Sequence, residues 1–199
     1  ETGMQVESGD VVVVKGKTVV PEEKKVYLAF NKPRGIVCTA EKREKNNVID
    51  YLSYPVRIYP VGRLDKDSEG LLLMTNDGAI VNGIMRARNR HEKEYQVEVN
   101  KEITPEFLKK MASGVPILDT VTRPCRIQKT GERSFTIILT QGLNRQIRRM
   151  CEALGYRVTK LKRVRIMNIH LKDLKTGEYR PLTEKELAEL KKQIGEEKR

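Results

Sequence analysis

The chain has 199 residues, 38% hydrophobic and 33% charged, which suits one medium domain with a real core, or one domain plus a small appendage. Lys and Arg number 39 against 27 Asp and Glu, and the net charge of +12 points to a polyanionic partner, most simply nucleic acid, although a solvated basic surface gives the same count. No stretch approaches the ~20 apolar residues that cross a membrane. The first residues carry no signal-peptide pattern, and the three scattered cysteines and two histidines make neither a disulfide framework nor a zinc site. A soluble, cytoplasmic protein without a metal centre is expected.

Gly9-Asp10 is a turn signal, followed by the apolar run 11–14; Lys15-Gly16-Lys17 turns the chain again into 18–21. That pattern predicts a β-hairpin, too small to be stable alone. Either it packs on the rest or it ends a truncated domain, and a first residue of Glu rather than Met favours truncation. Residues 26–30 read as a strand, 35–39 continue extended, 48–52 form a short helix, 57–61 a strand and 71–75 a buried strand. Asn76 or Asp77 caps a helix reaching to about residue 85.

Residues 94–99 alternate as a strand does. Thr104 opens a helix with Pro105 in its first turn, and Gly114 stops it. Strands follow near 122–128 and 134–140, then a helix over 144–154 closed by Gly155, then basic strands over 157–171. Thr183 and Glu186 form a capping box that opens a C-terminal helix. Frequent strands and hairpins with interspersed helices predict an α+β fold: a mixed, largely antiparallel sheet flanked by helices.

Three stretches carry candidate chemistry. The first is Gly62-Arg63-Leu64-Asp65-Lys66-Asp67-Ser68-Glu69-Gly70-Leu71, a polar loop held between two apolar strands. Rigid strands on both sides can fix a side chain, as a catalytic carboxylate requires. Arg63 and Asp65 flank Leu64 and point the same way in extended backbone. Spacing alone fits an ordinary turn aspartate as well.

The second is Gly142-Leu143-Asn144-Arg145-Gln146-Ile147-Arg148-Arg149-Met150. At about 100° per residue, Ile147, Met150, Cys151 and Leu154 gather on one helix face and Arg145, Arg148 and Arg149 on the other. Guanidinium forks suit phosphate and carboxylate; a solvated basic face is the alternative. The third is Lys93-Glu94-Tyr95, where the ring either packs the rim of a core or stacks on an unpaired base. Two basic runs, Arg86, Arg88, Arg90 and Lys93, then Lys160, Lys162, Arg163 and Arg165, either track a phosphate backbone or are solvated.

Together these stretches resemble the RsuA-like family of bacterial ribosomal pseudouridine synthases. The resemblance runs in one order over nearly the whole chain: Asn31-Lys32-Pro33-x-Gly35, the Gly62–Leu71 stretch, Lys93-Glu94-Tyr95, Gly114-Val115, Gln146-Ile147-Arg148-Arg149-Met150 and Leu161-x-Arg163-x-Arg165-Ile166. One such motif is weak; six in order are specific. The unbroken stretch 142–151 and Arg165-Ile166-Met167-Asn168 are most similar to the branch that modifies 23S ribosomal RNA.

The resemblance implies the pseudouridine synthase fold over residues 23–199, with 1–22 as the last hairpin of an S4-like RNA-binding domain. It implies isomerisation of a specific uridine of 23S ribosomal RNA, flipped out of its stack, by a monomer; transfer RNA is the alternative substrate. It makes Asp65 the catalytic aspartate, Tyr95 the ring against the target base, and Arg148 the ion-pair partner of Asp65. Arg63 would help displace the nucleotide, and Arg145, Arg149, Lys32 and Arg163 would bind substrate. The C1′–N1 bond must break and C1′ must join C5 with no redox change, so no cofactor or metal is implied. The carboxylate attacks as a nucleophile, stabilises charge at the sugar, or helps remove the 2′ proton to give a glycal. A non-catalytic RNA-binding ribosome-assembly protein would explain the charge, but not Arg63, Asp65, Tyr95 and Arg148 together.

Overall fold

The structure, a computed structural model, describes residues 24–196 together with the strand residues 12–14 and 17–19. Strands β1 (Val12–Val14) and β2 (Lys17–Val19) pair antiparallel, with Val12 opposite Val19, as the turn signal between them requires. The remainder of the expected hairpin lies outside the described residues.

The chain then runs through β3 (Tyr27–Lys32), α1 (Val48–Leu52), β4 (Tyr59–Pro60), β5 (Glu69–Thr75), α2 (Gly78–Arg86) and β6 (Lys93–Val99). It continues through α3 (Pro105–Ser113), the small hairpin β7 (Pro116–Ile117) and β8 (Thr120–Val121), β9 (Arg126–Gly131) and β10 (Ser134–Leu139). Helix α4 (Gln146–Ala153), β11 (Val158–Ile166), β12 (Ile169–His170), β13 (Tyr179–Pro181) and α5 (Glu184–Glu196) complete it. The main sheet has the order β13-β3-β5-β11-β6-β10-β9, with β12 on β11 and β4 on β5. Its ladders are antiparallel except β5–β11. The fold is thus the expected α+β arrangement.

Local chemistry sets the helix ends. Asp77, not Asn76, caps α2: its carboxylate accepts from Ala79 N and Ile80 N, while Asn76 bonds Val26 N and Lys24 O. Thr104 Oγ1 accepts from Phe107 N, and Thr183 and Glu186 bond each other's backbone N–H in the predicted capping box. The strand expected over 57–61 is reduced to Tyr59–Pro60, and 35–39 makes only the isolated bridge Val37–Asn47. The strand expected near 122–128 starts at Arg126.

The core has three parts. Alternate residues of β5 feed two of them: Leu71 and Leu73 pack with Ile80, Ile84, Leu190 and Ile194 of α2 and α5, and Leu72 and Met74 with Leu28, Phe30, Val48 and Leu64. Central strands are therefore buried on both faces. The third part lies between α3, α4 and one face of β6, β10 and β11. Gly70 lets the parallel pair close: at φ 108 it lies against the backbone of Arg163, where a Cβ would collide with the Arg163 carbonyl. That contact seats the 62–68 loop over β11.

Candidate active site

Leu64 is buried among Phe30, Leu72 and Met74, so the residues on either side of it, Arg63 and Asp65, turn out of the core. Ser68 N donates to Asp65 O (3.0 Å), closing a tight turn, and Gly35 N donates to Lys66 O (2.7 Å). The loop is held from below by Lys32, which is fully buried and donates through Nζ to Pro33 O (2.9 Å) and Ile36 O (2.7 Å). Burial pulls the Lys32 ammonium below its ordinary value, and Cys38, Asp67, Glu69 and Asp65 oppose that shift. Lys32 was expected to bind substrate. Its ammonium instead braces the backbone that carries the loop.

The N-terminus of α4 meets the loop. Arg145 stands just before the helix with φ 47, in the left-handed region, where helical periodicity does not apply. Its fork bonds both oxygens of Asp67 (3.0 and 2.9 Å), and Nη1 lies 3.3 Å from Asp65 Oδ2. Arg148 is buried; its Nη2 donates to Asp67 O and Ser68 Oγ (both 3.0 Å), and Nη1 lies 3.6 Å from Asp67 Oδ2. The ion-pair partner of Asp65 is therefore Arg145, and the expected Arg148 pairing is corrected: one turn further along, Arg148 reaches the following residues of the loop. Its buried Nε has no partner among the described residues.

Asp67 is the carboxylate that the sequence reading passed over. The hydrogen bond from Arg145 holds it below the usual carboxylate range, against the opposing effect of burial, and Arg148 adds to the lowering. Arg145 is raised in return, first by that same hydrogen bond. Burial lowers Arg148, against the pull of Asp67. The Asp-x-Asp spacing across the tight turn was the signal for this second acid.

A cavity of about 510 Å³ opens above the loop. Arg63, Asp65, Tyr95, Arg145, Arg148 and Arg163 all line it, so six of the eight expected site residues converge. Tyr95 lies on β6 opposite Arg163 of β11 and Ile137 of β10. Arg163 is anchored through Nε to Leu71 O (2.9 Å). Arg149 does not reach the cavity wall: it donates to Asn144 O and Asn144 Oδ1 (3.0 and 2.8 Å), which fastens its own loop rather than a substrate.

An irregularity in β11 between Arg163 and Arg165 splits the second basic run. Arg88, Lys93 and Arg163 line the cavity, whereas Arg165, beyond that irregularity, pairs with Glu92 (3.0 Å) and Glu94 (3.1 Å). Burial brings Lys93 down to about 8, with Arg163, Arg123 and Arg88 adding to it.

A carboxylate paired with a guanidinium and an aromatic ring lining the same cation-rich cavity, large enough for a nucleotide, suit an enzyme that works on a nucleoside. Residues 26–153 match the family model described as RNA pseudouridylate synthase. The chain belongs to this family and is an RNA pseudouridine synthase. It is 54% identical over 194 residues to the dual-specificity RNA pseudouridine synthase RluF of Salmonella typhi, covering 96% of this chain and 67% of the relative. It is 36% identical to ribosomal large subunit pseudouridine synthase B of Bacillus subtilis, covering 96% of this chain and 81% of that one. A crystal structure of a pseudouridylate synthase superposes with a TM-score of 0.77 at 28% identity, covering 96% of this chain and 84% of the other. The reading as a non-catalytic assembly protein is set aside. Among the described residues no helix is long and apolar enough to cross a membrane.

Proposed function

We propose that the chain converts a uridine of 23S ribosomal RNA to pseudouridine in the cytoplasm, as a monomer, with Asp65 as the group that acts on the sugar. The observation that carries this is that Asp65 and Tyr95 line one cavity, while Asp67 is taken up by Arg145 and Arg148. The uridine leaves its stack at a cost of a few kcal/mol. Stacking on Tyr95 offsets about 1–3 kcal/mol of it, and Arg63, the exposed cation beside Asp65, contacts the displaced strand. Arg145 and Arg163 complete the substrate wall, and Arg148 holds the loop. Asp65 then bonds to C1′ or stabilises its charge as N1 departs, or assists loss of the 2′ proton, and the base turns so that C5 meets C1′.

Mapping pseudouridines in ribosomal and transfer RNA from cells lacking the protein tests the substrate. Loss of one 23S position supports the proposal, and an unchanged 23S map overturns it. Transfer RNA as a further substrate is favoured by one observation, the dual specificity named for the relatives. The strands β1 and β2 suit the last hairpin of an S4-like RNA-binding domain, with residues 23–199 as the catalytic domain.

A further inference from the structure

A residue other than glycine keeps a left-handed backbone only where its surroundings over-determine it. Arg145 has φ 47 at the start of α4, and among the described residues that helix start has no side-chain cap. The turn matters because it brings the Arg145 fork to Asp65 and Asp67. The inference rests on the reading of Asp65 and this cavity as the reacting centre.

Two sets of hydrogen bonds hold the turn. The first is internal to the segment that joins β10 to α4. Gln146 N donates to Leu143 O (3.1 Å), Leu143 N to Gln146 Oε1 (3.2 Å) and Gln146 Nε2 to Gln141 Oε1 (3.4 Å). Arg149 adds its bonds to Asn144. These bonds give the segment its shape without tying it to another part of the fold.

The second set reaches across to the turn after α2. Asn89 Oδ1 accepts from Gly142 N (3.3 Å), 53 positions away in sequence. Asn89 O accepts from Arg123 Nη1 (2.6 Å). Arg123 N in turn donates to Gln141 Oε1 (2.8 Å), the same oxygen that Gln146 uses. Lys93 Nζ joins Arg88 O to Thr140 O on a parallel path (2.5 and 3.1 Å). Asn89 is thus the junction between the two sides. Its side chain holds the 141–146 segment directly, and its carbonyl holds Arg123, which grips that segment again at Gln141. Residues 141–148 all line the cavity, while Asn89 stands outside the lining residues and is exposed.

We propose that Asn89 is a positioning residue for the isomerisation and acts through Arg145. It anchors the 141–146 segment so that the fork of Arg145 meets Asp65. A guanidinium that must reach two carboxylates at once tolerates little displacement of the backbone that carries it.

The experiment is single-turnover kinetics at saturating target RNA, run as a double-mutant cycle between Asn89 and Arg145. Asn89→Ala removes the acceptor for Gly142 N. It should slow the chemical step by about tenfold, with RNA affinity within a few fold of wild type and an unchanged melting temperature. Asn89→Asp keeps an oxygen for Gly142 N and should recover most of that rate. Adding Asn89→Ala to Arg145→Lys should cost at most about twofold more, because the fork that Asn89 places is already gone. A full rate in Asn89→Ala overturns the proposal. So does a loss of the same size on the Arg145→Lys background, an Asn89→Asp variant as slow as Asn89→Ala, or a loss confined to RNA binding. Turnover by Asp65→Asn would instead overturn the assignment of the cavity.

Discussion

One guanidinium serves two aspartates: Arg145 grips Asp67 through both of its terminal nitrogens and reaches Asp65 with one of them at 3.3 Å. Asp67 therefore fixes the orientation of the group that meets Asp65. The two acids are two residues apart but have different duties. Asp65→Asn should abolish pseudouridine formation with folding intact. Asp67→Asn should only reduce it, by roughly tenfold, as the fork loses its anchor. Tritium release from 5-tritiated uridine RNA measures both, and equal residual rates would refute the division.

The arginines of 145–149 separate by geometry. Arg145→Lys and Arg148→Lys preserve charge but lose the planar fork that spans the loop, and a loop displaced by about 1 Å can cost about a hundredfold in rate. Arg149→Lys, which gives up only bonds to Asn144, should stay close to wild type. Single-turnover kinetics on one RNA would decide; three equal losses would mean that the helix acts as a basic surface.

Tyr95→Phe should keep RNA affinity but lose most turnover, since the ring remains to stack while the hydroxyl is gone. Tyr95→Ala should lose both, with about 1–3 kcal/mol of binding. Filter binding beside the tritium assay separates the two effects, and wild-type turnover by the Phe variant would deny the hydroxyl a role.

Lys32→Met tests a brace rather than a substrate contact. It leaves the carbonyls of Pro33 and Ile36 without their donor, at about 1–3 kcal/mol for each buried group left unpaired. A lower melting temperature is expected, with RNA affinity of the folded fraction unchanged. Weakened binding at unaltered stability would restore the substrate role.

Glu186 is held down to about 2 from 4.5, chiefly by the Arg180 guanidinium at 2.8 and 3.0 Å. A depressed folded-state value stabilises fully above 4.5 and fades as pH falls toward about 2. Urea melts of wild type and Glu186→Gln should differ by at most about 3 kcal/mol at pH 7 and converge near pH 2. A gap that does not narrow in acid would exclude the ion pair as its source.

The legible parts of the sequence were those governed by local rules. The Thr183–Glu186 capping box, the Asp77 cap and the alternation of 94–99 follow from backbone donors and strand period, and all three are present. Leu64 between two polar residues correctly indicated that Arg63 and Asp65 share a side. The failures have physical causes. The left-handed backbone at Arg145 breaks the helical wheel that grouped it with Arg148 and Arg149, and Arg145 rather than Arg148 meets Asp65. Charge is no guide to exposure when backbone carbonyls surround the ammonium, as at Lys32. Strands of two or three residues, such as β7, β8 and β13, are too short to show a period.

The hydrogen bond from Arg163 to the Leu71 carbonyl spans 92 positions of sequence, and Gly70 lies against the same arginine's backbone. During synthesis the Asp65 loop leaves the ribosome long before β11 exists to support it. The nascent chain can therefore fold much of β3 and β5 yet hold no working cavity. The enzyme is silent until the last central strand has been translated, and its activity is a clock for its own completion.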